Sequence, residues 1–335
     1  MLDLISIASI AGAFIATFLA TFIATPAVAT VMKRRGITGR DVHKRKKTQI
    51  PEMGGLAILL SLTIGTVLTI MILPDSLRQG VAFIGAVLIA GAIGIVDDLH
   101  PLGARTKPIL TAVACLPILL LRTYNSFPVI PFLGPVRLTL LYPFLVPVAI
   151  AVTSNAVNMM DVMNGSMAGT VAIVAAAVTT VLLVSGDASD ASLAAALLAA
   201  MLAFYYFNRF PATVFGGDTG SLAVGAALGA LSILGRIETV VLVALIPQIM
   251  NAFYGLASVG GLRERREILQ RPVTLLRNGL IKASSKKGAP VTLVRLILAA
   301  GPLSERDIVR GMMILTAVSS TLAVLTYFVM GAGRV

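Results

Sequence analysis

The sequence is poor in the residues that cross-link secreted folds or bind soft metals. It has one cysteine, two histidines and no tryptophan. The lone Cys115 excludes an intramolecular disulfide and a cysteine-based zinc site. His43 and His100 have no helical spacing that would make them a metal-ligand pair. A metal held by this chain would therefore need oxygen ligands.

Charged residues are also scarce, at 13% of the chain against about 25% in soluble domains. With 57% hydrophobic residues, a chain of 335 residues has too little polar surface for a water-soluble fold. Lipid is the expected solvent. The net charge of +12 is therefore expected to reflect cytoplasmic loops facing anionic membrane lipid, and no nucleic-acid partner is expected.

Apolar stretches of spanning length recur and predict about ten transmembrane helices. The stretches are continuous, not alternating, so helices are favoured over a closed barrel. The first stretch is too long for a signal-peptide core and is interpreted as a span. The expected fold class is an all-α integral membrane protein, with residues 1–335 in one polytopic domain. The predicted spans lie near 4–31, 54–73, 81–97, 107–121, 138–157, 167–185, 190–207, 219–235, 238–259 and 308–332.

Ten helices place alternate loops on opposite sides, and the basic residues are unequally shared between the two. One side, called side A here, holds all but five of the 27 Lys and Arg residues. The positive-inside rule makes side A cytoplasmic and both termini extracytoplasmic. Topology signals and lipid headgroups account for most of these charges. The predicted side-A loops are 32–53, 98–106, 158–166, 208–218 and the long loop 260–307 between helices nine and ten.

Two adjacent carboxylates, Asp97 and Asp98, end the third predicted helix on side A. Such a pair at a membrane boundary is costly unless it is hydrated, ion-paired or bound to a cation. Their mutual repulsion favours a metal ion or a proton, which suits a general base. Arg105 and Lys107 follow and can hold phosphate. A solvated helix end would explain the same residues without any chemistry.

Oxygen-bearing side chains recur every three residues at Asn155, Asn158, Asp161 and Asn164. Steps of three keep side chains on one face of a helix. Such a stripe can bind a hard cation or a hydroxyl-rich ligand. The alternative is hydrogen bonding between helices.

Gly216 and Gly217 precede Asp218 where the eighth predicted helix begins. A glycine-rich turn before a helix can bind an anion, and an aspartate there can hold a divalent ion. Asp218 could instead cap its own helix. Taken together, the side-A residues indicate metal-dependent phosphoryl transfer at the cytoplasmic surface.

Four ordered motifs, IPEMGG, DDLHPLGARTK, NAVNMMDVMNG and PATVFGGDTGS, resemble the polyprenyl-phosphate N-acetylhexosamine-1-phosphate transferase family. The resemblance covers most of the chain and implies a ten-helix fold with Mg²⁺, or Mn²⁺, as cofactor. The chain is most similar to the archaeal and eukaryotic branch, which uses UDP-GlcNAc and dolichyl phosphate. Loop 260–307 has no histidine, whereas the bacterial enzymes carry a histidine-rich motif there.

The resemblance implies a role for each matching residue. It places Asp97 and Asp98 beside the lipid phosphate and Lys107 at the diphosphate, as catalytic residues. It places Mg²⁺ on Asn158 and Asp218. The expected substrate-binding residues, of which Asn164 and Phe215 would surround the uridine, are Glu52, Asn155, Asp161, Asn164, Phe215, Arg271 and Arg277.

The expected reaction transfers GlcNAc 1-phosphate from UDP-GlcNAc to a polyprenyl phosphate and releases UMP, as the first step of lipid-linked oligosaccharide assembly. Alternatives are the same chemistry with another UDP-N-acetylhexosamine, or with UDP-MurNAc-pentapeptide and undecaprenyl phosphate. A membrane transporter is the competing class, but its polar residues would lie near the midplane. A non-catalytic lipid-binding scaffold would leave the acidic residues unused. Apolar helix faces permit a homodimer.

Overall fold

The computed structural model describes residues 3–42, 44, 48–131, 133–262 and 270–331. The basic residues 45–47, the mixed segment 263–269 and His43 lie outside this described part. The helices are α1 Leu4–Arg34, α2 Gly55–Ile72, α3 Leu77–Leu99, α4 Thr106–Val113, α5 Leu116–Leu120, α6 Tyr142–Met160, α7 Ser166–Ser185, α8 Ala188–Asn208, α9 Gly217–Leu234, α10 Glu238–Ala244, α11 Ile246–Val259, α12 Leu293–Ile297 and α13 Glu305–Val329.

Within the described residues, eight helices are long and apolar enough to cross a membrane, and a bent pair raises the number to nine. The bent pair is α10 and α11, whose axes differ by 65°. The predicted fourth span, 107–121, is not one long helix. It consists of α4 and α5, which together make a shorter apolar segment. The predicted all-α membrane fold is confirmed.

Both interrupted spans break at a proline. Pro117 lies in the first turn of α5 and Pro247 in the first turn of α11. Proline has no N–H to bond the preceding turn, so it starts a helix more readily than it continues one. Pro26 and Pro147 lie inside α1 and α6, which remain single helices. Each break therefore coincides with a proline, although a proline alone does not break an apolar helix.

The strands of the described residues form three short antiparallel hairpins. The hairpin in the long side-A loop is anchored by apolar contacts, since Ile281 is buried with Met160, Met163 and Val309. The described residues of loop 260–307 form a hairpin and the short α12, where the sequence predicted only a polar segment. The strands are β1 Thr38–Arg40, β2 Gln49–Pro51, β3 Val129–Ile130, β4 Gly134–Pro135, β5 Val273–Leu275 and β6 Ile281–Ala283.

The predicted side-A loops meet at one end of the helix bundle. The Phe215 N–H donates to the Pro51 carbonyl at 2.8 Å, and the Gly54 N–H donates to the Phe215 carbonyl at 2.8 Å. At the other end, Ser9 and Ser192 share a hydrogen bond of 3.0 Å. These contacts join loops or helix ends that the alternation of ten segments places on the same side.

Helix α9 lies at the centre of the bundle, and every residue from Thr219 to Ile233 is buried. Its first turn packs tightly on the end of α3, because a Cβ at Gly94 would overlap the backbone of Asp218 and Thr219. The end of α3 carries Asp97 and Asp98. Close packing therefore holds this acidic pair against the start of α9.

Candidate active site

The ammonium group of Lys107 joins carboxylates from two membrane helices. Its Nζ lies 2.6 Å from Oδ2 of Asp97 on α3 and 3.0 Å from Oδ2 of Asp218 on α9. The Asp97 side chain is 6% exposed and that of Asp218 is 32% exposed. The other Asp97 oxygen accepts the Leu102 N–H at 2.5 Å. The chain after α3 is thereby folded back, and Lys107 is placed between both carboxylates.

Asn158 connects α6 to the same place. Its amide nitrogen donates to Oδ1 of Asp218 and, at 2.8 Å, to Oγ of Ser221. Ser221 lies one turn after Asp218 on α9 and therefore shares its face. The three residues form a polar contact between α6 and α9 beside the Lys107 ion pairs.

Asp98 caps α9 from another helix. One carboxylate oxygen accepts the Asp218 N–H at 2.7 Å, and the other accepts the Thr219 N–H at 3.0 Å and the Thr219 hydroxyl at 2.6 Å. An anion at a helix N-terminus satisfies free N–H groups and complements the helix dipole. The interpretation of Asp218 as the cap of its own helix is therefore wrong, and its carboxylate is left for Lys107 and Asn158.

Gly217 makes this arrangement possible. Its φ is +70°, in the left-handed region that side chains rarely adopt. A Cβ there would also lie 2.6 Å from Oδ2 of Asp98. The second glycine of the GGD turn is needed for both its backbone angle and its closeness to the carboxylate.

Asp161 and Glu52 add negative charge around this centre. Burial, with the carboxylates of Asp218 and Asp98, raises the pKa of Asp161 to about 7. Burial and the Asp98 carboxylate also raise the pKa of Glu52. Among the described residues, no donor contacts either carboxylate. We call Asp97, Asp98, Asp161 and Asp218 the carboxylate cluster.

The predicted stripe of four oxygen-bearing residues does not share one face. Helix α6 ends at Met160, so Asp161 and Asn164 follow the helix. The Asn155 amide donates to the Thr111 hydroxyl at 2.8 Å and links α6 to α4. The idea of a single helical stripe is wrong, although Asn158 and Asp161 still lie at the centre. The substrate-binding role of Asn155 stays a prediction.

Asn164 belongs to a second polar group. Its amide donates to Asp41 at 3.1 Å, and its backbone N–H donates to Oε1 of Glu305 at 2.9 Å. Asp41 also forms an ion pair with Lys44 at 2.7 Å. Asp41 and Glu305 were not singled out from sequence, because single acidic residues in polar loops carry no local pattern.

The remaining predicted substrate-binding residues differ in their placement. Phe215 is half-buried and lies in the chain that runs into the GGD turn, against Pro51 and Gly54. Arg271 and Arg277 flank β5 and are exposed. Their roles stay predictions.

The side chains of the cluster and Asn158 offer ligand atoms that suit a hard divalent cation. These atoms are carboxylate and amide oxygens, which Mg²⁺ and Mn²⁺ prefer. The Asp161 carboxylate lacks a donor among the described residues, and Lys107 supplies the one cation at the centre. No trio of His, Cys, Asp and Glu in the described residues has the geometry of a metal cage. The residues therefore fit a cation bound by few protein ligands and completed by substrate phosphates.

Comparison with known proteins decides the family. The family model for glycosyl transferase family 4 matches residues 81–236, which include the carboxylate cluster. A Sulfolobus acidocaldarius protein named as a UDP-N-acetylglucosamine–dolichyl-phosphate N-acetylglucosaminephosphotransferase is 31% identical over 256 residues, covering 74% of this chain and 78% of the relative. The chain belongs to glycosyl transferase family 4.

Other members of glycosyl transferase family 4 are similarly related. A Methanocaldococcus jannaschii protein named as a glycosyltransferase is 30% identical over 273 residues, covering 81% of each chain. The phospho-N-acetylmuramoyl-pentapeptide-transferase of Moorella thermoacetica is 36% identical over 207 residues, covering 58% of this chain and 64% of the relative. The family predicted from the four motifs is confirmed.

Proposed function

We propose that this chain transfers GlcNAc 1-phosphate from UDP-GlcNAc to a polyprenyl phosphate of the dolichyl type. The products are a lipid-diphosphate GlcNAc and UMP. The observation that carries the proposal is the bridge from Lys107 to Asp97 and Asp218. It places a cation and acidic oxygens where the loops of one bundle end meet. The family and the relatives' names support this chemistry over transport.

In the proposed reaction, an oxygen of the lipid phosphate attacks the β-phosphorus of UDP-GlcNAc. The bond from that phosphorus to the bridging oxygen breaks, and UMP leaves with the electron pair. A phosphate monoester is largely ionised at neutral pH, because its second pKa is about 6. No strong base is then required. Lys107 offsets negative charge that develops on the diphosphate.

The two adjacent aspartates take different roles in this proposal. Asp98 already accepts three hydrogen bonds from the start of α9, so we assign it to positioning that turn. Asp97 holds the Lys107 ammonium group and orients it towards the phosphates. Glu52 and Asp161 add oxygen acceptors for the sugar or for a cation.

We assign Mg²⁺, with Mn²⁺ as a substitute, to Asn158 and Asp218. When bound, such an ion polarises phosphoryl oxygens and neutralises charge on the diphosphate. Rotating the Asn158 amide would present its oxygen instead of its nitrogen. Asp218→Asn should then raise the Mg²⁺ concentration needed for activity. Full activity of a well-folded Asp218→Asn protein at wild-type Mg²⁺ concentrations would refute this assignment.

We further propose that residues 1–335 form one polytopic domain in the cell membrane, with loop 260–307 and the site in the cytoplasm. Both termini would be extracytoplasmic. The basic bias of side A supports this orientation. Cytoplasmic placement also gives the site access to nucleotide sugars. The apolar faces of α1 and α13 allow a homodimer.

The test uses purified protein, UDP-GlcNAc, a polyprenyl phosphate and Mg²⁺, with UMP release as the readout. UMP formation that depends on the lipid phosphate is the expected result. A panel of other UDP-N-acetylhexosamines and UDP-MurNAc-pentapeptide defines the sugar. Absence of UMP with every UDP-sugar, together with substrate flux in sealed vesicles, would favour the transporter.

A further inference from the structure

A groove on side A lies between the end of α1, the end of α8 and the start of α13. Its cavity has a volume of about 900 Å³. A neighbouring cavity of about 750 Å³ shares Ala29, Phe210 and Pro211 with it. We call the two cavities together the α1–α8–α13 groove. In the described part of the chain, its lining contains no member of the carboxylate cluster, but Asn164, one of the expected substrate-binding residues, lines the larger cavity.

The groove is positively charged. Arg209, Arg306 and Arg310 line the larger cavity, and Lys33 and Lys44 line the smaller one. Lys44 pairs with Asp41 and Arg310 with Asp307. No carboxylate in the described residues pairs with Arg209, Arg306 or Lys33. The charge that faces the groove is therefore not balanced by the residues around it.

Aromatic rings hold these cations in place. The Arg209 guanidinium lies 5.0 Å from the centre of the Tyr206 ring. The Phe210 ring has Arg306 and Lys44 at 4.8 Å and 4.7 Å from its centre. Cation–π contacts order a cation without neutralising it. Both guanidinium groups keep their full charge for an anionic ligand.

A ladder of rings continues from the groove along the surface of α1. Phe14, Phe18 and Phe22 stack at ring separations of 6.4 Å and 6.1 Å. Phe22 also lies 5.4 Å from Tyr206 and 5.1 Å from Phe207 at the groove. Eight residues of helix span about 12 Å, so the ladder extends from the charged end towards the membrane centre.

We propose that the α1–α8–α13 groove binds an anionic phospholipid. Its phosphate would lie at Arg209 and Arg306, and one acyl chain would follow Phe22, Phe18 and Phe14. The cations at the membrane surface match the anionic headgroup of a lipid, and the apolar track within the membrane matches its acyl chain. The acceptor lipid of the proposed reaction has to bring its phosphate to the carboxylate cluster, which lies outside this groove.

Two other occupants fit less well. A nucleotide would use the cations but leave the ring ladder empty. A second copy of this chain, packed symmetrically through the same surface, would bring like charges against each other. The lipid accounts for both features together.

The experiment measures lipid binding by the full-length protein, independently of transferase activity. Delipidated wild-type protein is titrated with phosphatidylglycerol or with phosphatidylcholine of the same chains, and bound lipid is counted by native mass spectrometry. Arg209→Gln/Arg306→Gln removes two groove charges. Lys286→Gln/Lys287→Gln is the matched control, because it loses two exposed charges from the same side outside the groove.

One tightly bound phosphatidylglycerol is expected on wild-type and control protein. The arginine variant should bind it about 30-fold more weakly, since each cation near an anionic lipid surface contributes about 1 kcal/mol. Phe18→Ala should weaken binding of both lipids. Equal binding of the two lipids by wild-type protein would overturn the proposal. This result does not depend on whether the variants fold.

Two further results would also overturn it. One is displacement of bound phosphatidylglycerol by UDP, which would make the groove a nucleotide site. The other is a loss of dimer in the arginine variant with lipid binding unchanged, which would make the groove a contact between copies.

Discussion

The Lys107→Gln substitution separates a structural ion pair from a catalytic cation. It removes the ammonium group that lies 2.6 Å from Asp97 and 3.0 Å from Asp218. Removing one partner of a buried pair costs about 3–5 kcal/mol. The Asp218 side chain is 32% exposed, so water compensates part of the loss and about 3 kcal/mol is expected. Thermal unfolding in detergent measures this destabilisation.

The matched double variant, Asp97→Asn/Lys107→Gln, removes a negative charge together with the positive one. Its stability should return to within about 1 kcal/mol of wild type, because one carboxylate near the surface needs no partner. UMP release should nevertheless stay at least about 100-fold below wild type in both variants, as for loss of one charge-stabilising donor. Lys282→Gln controls for an exposed charge on the same side. Recovery of UMP release in the double variant would refute a catalytic role for Lys107.

Two further predictions concern Gly217 in the glycine turn and the half-buried Asp161. Gly217→Ala should abolish UMP release, because its Cβ would displace the Asp98 carboxylate. Gly186→Ala has a similar φ of +83° but open space around it, so it should cost only about 1–2 kcal/mol; equal effects of the two changes on UMP release would contradict this steric argument. Because the pKa of Asp161 is raised to about 7, the folded protein keeps a proton that the unfolded chain loses near about pH 4. Stability should therefore fall as the pH rises from about 4 to about 7 and level off above that. Asp161→Asn should raise the melting temperature most at pH 8 and progressively less as the pH falls towards 4, whereas an unaltered pH dependence in this variant would show that another group is responsible.

The membrane fold was largely predictable from the sequence, because hydropathy depends on composition over many residues. The predicted span 167–185 matches α7 to within one residue at its start. The breaks near Pro117 and Pro247 were not predicted, because average hydropathy does not depend on whether a residue has a backbone N–H. The hairpin in loop 260–307 depends on contacts of Ile281 with distant residues, which no local pattern reveals.

The candidate site was predicted only in part. Adjacent carboxylates and a GGD turn are recognisable from a few neighbouring residues. Asp97, Asp98 and Asp218 could therefore be predicted as site residues. The capping of α9 by Asp98 could not, because it joins positions 120 residues apart. Spacing by three suggested a common face for Asn155 and Asn164. The end of α6 at Met160 separates them, and a spacing rule applies only while the helix continues.

The most direct test of the central claim follows the β-phosphorus. Wild-type protein is incubated with UDP-GlcNAc labelled at the β-phosphate, a polyprenyl phosphate and Mg²⁺, and the lipid and aqueous phases are counted. Transfer of GlcNAc 1-phosphate predicts label in the lipid, with unlabelled UMP in water in equal amount. Transfer of the sugar alone would leave the label in water as UDP, and that result would contradict the account.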